Sequence, residues 1–180
     1  MKKFILSLIV LVSLFAAGCG GGGSSSVGPE IKYPDNTKLA DDYPAVNTNY
    51  ASVKDVMSSP TSTEAERTEL TNDLLMYFSD DFKDKDGNDA KEKIQATTLD
   101  YLEQYSLSSY KFSPIIKDEV GHNYNETTGI LTVRTLIQAV ANSGSMTINV
   151  DKVFDIEWKL SNGNWVIVGG FPTTKAELGL

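Results

Sequence analysis

The sequence predicts an α+β domain in which three N-terminal helices pack on a curved four-stranded antiparallel sheet. Between residues 46 and 105, apolar side chains recur at every third or fourth position, which is the period of a helix with one buried face. From residue 110 onward the period falls to two, which is the period of a half-buried strand. Short runs of Gly, Asn and Ser separate these later segments, as tight turns between antiparallel strands require.

Three apolar stripes define the predicted helices. They consist of Val46, Tyr50, Val53 and Met57; of Leu70, Leu74, Tyr77 and Phe78; and of Ile94, Thr98, Tyr101, Leu102 and Tyr105. Pro60 ends the first helix, because proline cannot continue a helix. Thr61 and Glu64 have the spacing of a capping box for the second helix, and Asp89 is the predicted N-cap of the third.

Four strands are predicted, over residues 110–117, 129–141, 145–160 and 165–169. Pro114 in the first strand indicates a sheet edge or a bulge, because proline cannot donate to the ladder. The third strand has two distinct faces, one with Met146, Ile148, Val150, Phe154, Ile156 and Trp158 and the other with Asp151, Asp155 and Glu157. An Asn-Gly pair at 162–163 predicts a tight hairpin into the last strand.

The charge and the rare residues exclude several functions. The net charge is −8, and it becomes −10 if residues 1–18, with their two lysines, are removed. Binding to nucleic acid needs clustered Lys and Arg, and the sequence has no such cluster, so we expect no nucleic-acid partner. One Cys and one His cannot form a disulfide or the common zinc sites, so no metal and no cofactor are predicted.

The N-terminus is typical of an export signal. Two lysines precede an apolar run over residues 4–17, which is too short to cross the ~30 Å hydrocarbon core of a membrane. Residues 16–19, Ala-Ala-Gly-Cys, resemble the lipobox of bacterial lipoproteins. The resemblance implies cleavage before Cys19 and attachment of two or three acyl chains, such as palmitate, to that residue. The alternative is a secreted protein that is cleaved near Ala17 and keeps a free thiol.

The lipoprotein resemblance also implies a location. Cys19 would hold the protein in the bacterial cell envelope, and Gly20 stands where an aspartate would indicate retention at the inner membrane. In a cell with two membranes, the expected site is therefore the outer membrane, facing the periplasm or the exterior. No transmembrane helix is needed, because several acyl chains anchor a protein firmly.

A flexible tether is predicted between the anchor and the domain. Residues 20–26 contain only Gly and Ser, and residues 27–44 add three prolines without apolar periodicity. The predicted organisation is thus a signal peptide at 1–18, a lipidated cysteine with its tether at 19–44, a folded domain at 45–174 and a tail at 175–180.

Three segments of the sequence resemble the nuclear transport factor 2-like superfamily, whose members include the cystatin-like and SnoaL-like cones. They are Leu-Leu-Met-Tyr-Phe-Ser-Asp-Asp-Phe at residues 74–82, the Asp-Gly pair at 86–87 and the strand meander that ends in Gly-Asn-Trp-Val-Ile at 163–167. The resemblance covers about residues 47–170 and implies a cone-shaped fold. That superfamily includes ketosteroid isomerase, scytalone dehydratase, transport factors and scaffolds, so the resemblance implies a fold and no single activity.

A cavity between the helices and the sheet is the candidate site. The residues expected to line it are Tyr77, Tyr101, Tyr105, Phe112, Arg134, Lys152, Phe154 and Trp158. The aromatic residues either fill this space as core or line an open apolar pocket, and both readings stay open. No catalytic residue is assigned, because the predicted inner faces of the long strands carry no carboxylate. We expect Lys152 to lie at the rim of the sheet, and not to act as a buried base.

Two further features are predicted to have structural and not functional roles. His122 lies in a run of turn-forming residues, which predicts a solvated position. The acidic run around Asp84 and Asp86 has the glycine of a calcium-binding loop at Gly87, but Phe82 and Lys93 occupy two positions that would need oxygen ligands.

The sequence therefore predicts a non-catalytic, membrane-anchored envelope protein that binds a small amphipathic ligand or an envelope protein. The alternative is a small isomerase or a hydrolyase (dehydratase) that acts in the same cavity. We expect a monomer, because the acidic strand face with Asp151, Asp155 and Glu157 would meet its own charge in a symmetric dimer.

Overall fold

The computed structural model describes residues 37–115 and 121–180. The predicted signal peptide, Cys19 and most of the predicted tether lie outside these residues. The last part of the predicted tether is instead helical, with α1 at Thr37–Asp42 and the start of α2 at Pro44. The side chain of Leu39 is 0% exposed and belongs to the core, so the folded domain includes α1 and does not begin at residue 45.

Within the described residues, four helices precede the first strand, one more than the sequence predicts. After α1 come α2 (Pro44–Met57), α3 (Glu64–Leu75) and α4 (Lys91–Gln104). The predicted stripe of α2 is its buried face, and Pro44 stands in the first turn, where a missing N–H costs nothing. Each of these helices buries a narrow apolar stripe and exposes its remaining surface, as expected of helices that cover one side of a sheet.

The helix caps differ from the predicted ones. The capping box of α3 pairs Thr63 with Glu66: the Thr63 hydroxyl accepts from the Glu66 N–H, and the Glu66 carboxylate accepts from the Thr63 N–H. The pair at Thr61 and Glu64 is two residues too early. At α4 the N-cap is Ala90, and Asp89 instead forms an ion pair with Lys83.

In the part of the chain that the structure describes, five antiparallel strands form the sheet, one more than predicted. They are β1 (Ser106–Pro114), β2 (His122–Asn125), β3 (Ile130–Ser143), β4 (Met146–Ser161) and β5 (Asn164–Gly169), followed by a short helix α5 (Lys175–Leu178). The order across the sheet is β1-β3-β4-β5, and β2 pairs with β3 beside β1. The additional strand is β2, which occupies the segment predicted as a solvated turn.

The register assigns a face to every residue of the two long strands. Leu131 lies opposite Trp158, Val133 opposite Ile156, and Ala139 opposite Val150, and all six side chains are buried. We call this the inner face, because the buried residues of α2 pack on it. Arg134 and Asp155 pair on the other, outer face, where Arg134 Nε lies 3.1 Å from Asp155 Oδ1.

The centre of the core contains a chain of hydrogen bonds. Trp158 Nε1 donates to the Tyr50 hydroxyl over 3.1 Å, and the two hydroxyls of Tyr50 and Thr135 lie 2.6 Å apart. Thr135 donates in turn to the Val133 carbonyl over 3.0 Å, so its oxygen accepts from Tyr50. Every polar atom of this buried chain therefore has a partner, and the chain fixes α2 on the inner face of the sheet.

None of the helices in residues 37–115 and 121–180 has the length and apolar character of a membrane span.

Candidate functional site

A mostly apolar cavity lies between α3, α4, the inner face of the sheet and the C-terminal segment. Its volume is about 60 Å³ and it is partly open to solvent. We call it the tyrosine cavity. Its lining residues are Met57, Leu74, Ile94, Thr97, Thr98, Tyr101, Leu107, Tyr110, Ile137, Ala139, Val150, Phe171, Pro172 and Leu178.

Two phenols are the most prominent polar groups of this cavity. Tyr101 comes from the buried stripe of α4 and is only 7% exposed, and its hydroxyl has no hydrogen-bond partner within the described residues. Burial raises the pKa of Tyr101 to about 12, with a smaller contribution from Tyr105. Burial also raises the pKa of Tyr110 on β1, and the neighbouring Tyr101 adds to this effect. Both phenols are therefore neutral at physiological pH.

The C-terminal segment closes one side of the cavity through polar contacts. Thr97 Oγ1 of α4 donates to the Thr173 carbonyl over 2.8 Å. Lys175 Nζ lies 2.5 Å from Asp100 Oδ2 and donates to Gln104 Oε1 over 3.0 Å. These bonds hold the segment against α4, so its apolar residues become part of the wall. Residues 175–180, predicted as a tail outside the domain, thus contribute Leu178 to the site.

The predicted site residues do not lie together, and only Tyr101 is part of the cavity wall. Tyr101 lines the cavity, and the Tyr105 ring lies against Tyr101 with a centroid distance of 5.0 Å. Phe112 and Trp158 instead pack against Tyr50 in the core, at centroid distances of 4.6 and 5.2 Å. Phe112 and Trp158 therefore belong to the hydrophobic core and not to the wall of the tyrosine cavity.

The remaining predicted residues lie away from the cavity. Phe154 is half-buried on the inner face opposite Thr135. Tyr77 follows the end of α3 and borders a separate surface groove next to the β4–β5 turn. Arg134 lies on the outer face and not in the cavity, because it follows Val133, which points inward. Lys152 is exposed at the edge of β4, against the backbone of Gly179.

Tyr110, Phe171 and Leu178 are three of the wall residues that are not among the predicted site residues. Tyr110 could have been found, because it lies two positions before Phe112 and therefore shares its strand face. Phe171 and Leu178 follow the last strand in a segment without apolar period, so the sequence gives no signal for them.

The lining provides no acid or base near neutral pH. Within the described part of the chain, the cavity wall contains no carboxylate, imidazole or ammonium group.

His122 lies outside the cavity wall. It belongs to β2, its side chain is 14% exposed, and its Nε2 is 3.2 Å from Asp42 Oδ2. The prediction of a solvated turn residue is therefore wrong for His122.

The acidic loop before α4 is a lysine-bridged turn. Asp84 Oδ1 accepts from the backbone N–H groups of Asp86 and Asn88, and Asp84 Oδ2 lies 2.6 Å from Lys93 Nζ. A lysine thus stands against the carboxylate that a cation would use. Within residues 37–115 and 121–180, no group of three or more His, Cys, Asp or Glu could hold a metal ion.

We expect the Asp84→Asn substitution to lower the free energy of unfolding at neutral pH. We also expect the free energy of unfolding of this variant to fall less than that of the wild type as the pH is lowered. The hydrogen bond from Lys93, followed by that from the Asn88 N–H, lowers the pKa of Asp84 from 3.8 to about 2. This carboxylate therefore stabilises the fold above pH 3.8, and its contribution disappears as the pH falls toward 2. Urea unfolding at a series of pH values measures the effect. The exposed Asp81→Asn variant is the control. If the Asp84→Asn variant loses stability below pH 3.8 as steeply as the wild type does, Asp84 does not cause this pH dependence.

A similarity to known proteins is found among solved structures. No family model matches the sequence, and no curated protein matches it. Among solved structures, the chain is similar to a protein described as a calcium/calmodulin dependent protein kinase II association domain from Xanthomonas campestris. The identity is 8% and the TM-score is 0.39, over 69% of this chain and 79% of that one. A similarity at this level establishes neither a family nor a function.

Proposed function

We propose that this protein is a lipid-anchored envelope protein whose domain binds a small amphipathic ligand in the tyrosine cavity without transforming it. The Tyr101 hydroxyl supports this proposal. A buried hydroxyl without a partner costs about 1–3 kcal/mol, and such groups in folded proteins usually have a partner. A bound ligand would supply that partner to Tyr101, and the apolar wall would cover the rest of its surface.

Binding is preferred over catalysis because of the chemistry of the wall. An isomerase or dehydratase moves a proton, and it needs a group with a pKa near the working pH. Burial keeps the phenols of Tyr101 and Tyr110 protonated far above that range, and the other lining residues are apolar or carry hydroxyls. The isomerase or dehydratase alternative therefore has no residue to carry it in this cavity.

The remaining parts of the proposal concern family, assembly and location. Helices that precede an antiparallel meander and cover one face of it support membership of the nuclear transport factor 2-like superfamily. The carboxylates on the outer face of β4 favour a monomer. Cys19 would anchor the chain in the cell envelope, at the outer membrane where the cell has one, and the tether would hold the domain away from the lipid.

The Cys19→Ser substitution tests the anchor. In a bacterial host grown with labelled palmitate, we expect the wild-type chain to incorporate the label and the variant to lose it, because serine cannot form the thioether. The variant should also keep its leader, which mass spectrometry detects. Ser24→Ala, five residues later, is the control and should be labelled like the wild type. Equal labelling of Cys19→Ser would show that the cysteine is not the acylation site.

The Tyr101→Phe substitution tests the cavity. Without ligand, we expect it to stabilise the full chain by about 1 kcal/mol, because it removes a hydroxyl that is buried without a partner. Urea unfolding measures the change. Tyr105→Phe is the control, since its ring is half-buried beside Tyr101. A destabilised Tyr101→Phe would mean that the hydroxyl is already satisfied, for example by an ordered water, and would remove the observation that supports the proposal.

A further inference from the structure

The polar groups of the tyrosine cavity restrict the chemistry of its occupant. Thr97 already donates its hydroxyl proton to the Thr173 carbonyl. Tyr101 and Tyr110 have raised pKa values and keep their protons, so each can donate one hydrogen bond. A phenol oxygen can also accept, but the protons of both phenols can be bound at once only by an acceptor atom of the occupant.

Two lysines, Lys175 and Lys152, lie outside the cavity wall. Lys175 Nζ is bound to Asp100 and Gln104 on the surface of α4. Lys152 is exposed at the edge of β4. An anionic group in the cavity would therefore lose its hydration without gaining a counter-charge, which is strongly unfavourable in an apolar environment. The acceptor must then belong to a neutral group.

The volume restricts the size of the occupant. One water molecule takes about 30 Å³, so a cavity of 60 Å³ holds about two water-sized groups. This is room for one end of a small molecule. The rest of that molecule would lie in the opening.

Building on the proposed function, we infer that the tyrosine cavity selects a neutral, compact, mainly apolar molecule with one oxygen acceptor, such as a carbonyl or ether, which accepts a hydrogen bond from Tyr101 and, at its other lone pair, from Tyr110. Carboxylates and phosphates are excluded by the absence of a cation among the described lining residues. Tyr101 is thus the specificity residue, and the apolar wall supplies most of the affinity.

Three ring compounds of similar size test this inference with the full chain. Cyclopentanone carries a neutral acceptor, cyclopentane carries none, and cyclopentanecarboxylate carries a negative charge. Titrations followed by NMR should show saturable binding of cyclopentanone and cyclopentane and none of the carboxylate. In Tyr101→Phe, the affinity for cyclopentanone should fall about threefold to tenfold, the equivalent of one hydrogen bond, and the affinity for cyclopentane should not fall. Tyr105→Phe should bind both neutral compounds like the wild type.

The outcomes separate this inference from the proposed function. If neither neutral compound binds, the cavity is not a ligand site and both fail. If both bind and Tyr101→Phe weakens neither, the cavity binds apolar molecules but the inference about the acceptor is wrong. Binding of the carboxylate with an affinity similar to that of cyclopentanone would also overturn the inference and leave the proposed function standing.

Discussion

Replacing Gly170 with alanine is expected to destabilise the domain by about 3 kcal/mol or more. Gly170 follows β5 with a φ of +76°, which L-residues with a side chain adopt only with strain. An added Cβ would also lie 1.9 Å from the carbonyl oxygen of Asp155. That oxygen belongs to the backbone of β4, so it can move only if the strand moves. Equilibrium urea unfolding measures the loss.

Two neighbouring glycines separate the causes of this effect. At Gly169 the added Cβ would meet only the carboxylate end of Glu157, a flexible side chain that can turn away, so Gly169→Ala should cost under about 1 kcal/mol. At Gly163 the φ is +84° but nothing lies within 4 Å, so Gly163→Ala should show the backbone strain alone, about 1–2 kcal/mol. If Gly170→Ala is no worse than Gly163→Ala, the packing of Gly170 against β4 does not limit stability.

The Tyr50→Phe substitution should destabilise the domain by about 1–3 kcal/mol, the opposite sign to Tyr101→Phe. It removes one hydroxyl from the centre of the core and leaves the indole N–H of Trp158 without an acceptor. The Thr135 hydroxyl loses the donor to its oxygen. The phenol ring volume stays almost the same, so the change measures the hydrogen bonds and not a cavity.

Urea unfolding of Tyr50→Phe and Tyr101→Phe under the same conditions gives the direct comparison. Both substitutions remove one buried phenol hydroxyl, and the two sites differ in whether that hydroxyl has partners. Tyr77→Phe, half-buried outside the core, is the control with an expected change under about 0.5 kcal/mol. A change of the same sign in both buried variants would contradict the distinction between a satisfied and an unsatisfied hydroxyl.

The sequence predicts the elements with strong periodicity and fails where the pattern is short or polar. The buried stripe of α2, the two long strands and the turn at residues 162–163 are all found. The short strand β2 was missed because His-Asn-Tyr-Asn has no apolar alternation and is held only by its pairing with β3. The helix α1 was missed because it has only six residues, and its burial of Leu39 depends on tertiary packing.

The period of two in β3 does not predict which of its two faces is buried. One face carries Thr135 and Ile137 and the other Arg134 and Leu136, and each contains a polar and an apolar residue. In the folded domain, Tyr50 bonds to Thr135, which turns that face inward and leaves Arg134 outside. The candidate site is likewise only partly predictable from the sequence. Tyr101 belongs to a clear helical stripe, but the residues around it come from segments that are far apart in the chain.

The C-terminal wall of the tyrosine cavity has a consequence for the order of events during synthesis. A ribosome makes the chain from its N-terminus, so Phe171, Pro172 and Leu178 emerge after α4 and after every strand of the sheet. Until then, α4 and the sheet can form only an open apolar trough. The domain can therefore enclose a ligand only after residue 178 has emerged, and a chain that stops before residue 171 would have the complete sheet but no enclosed cavity.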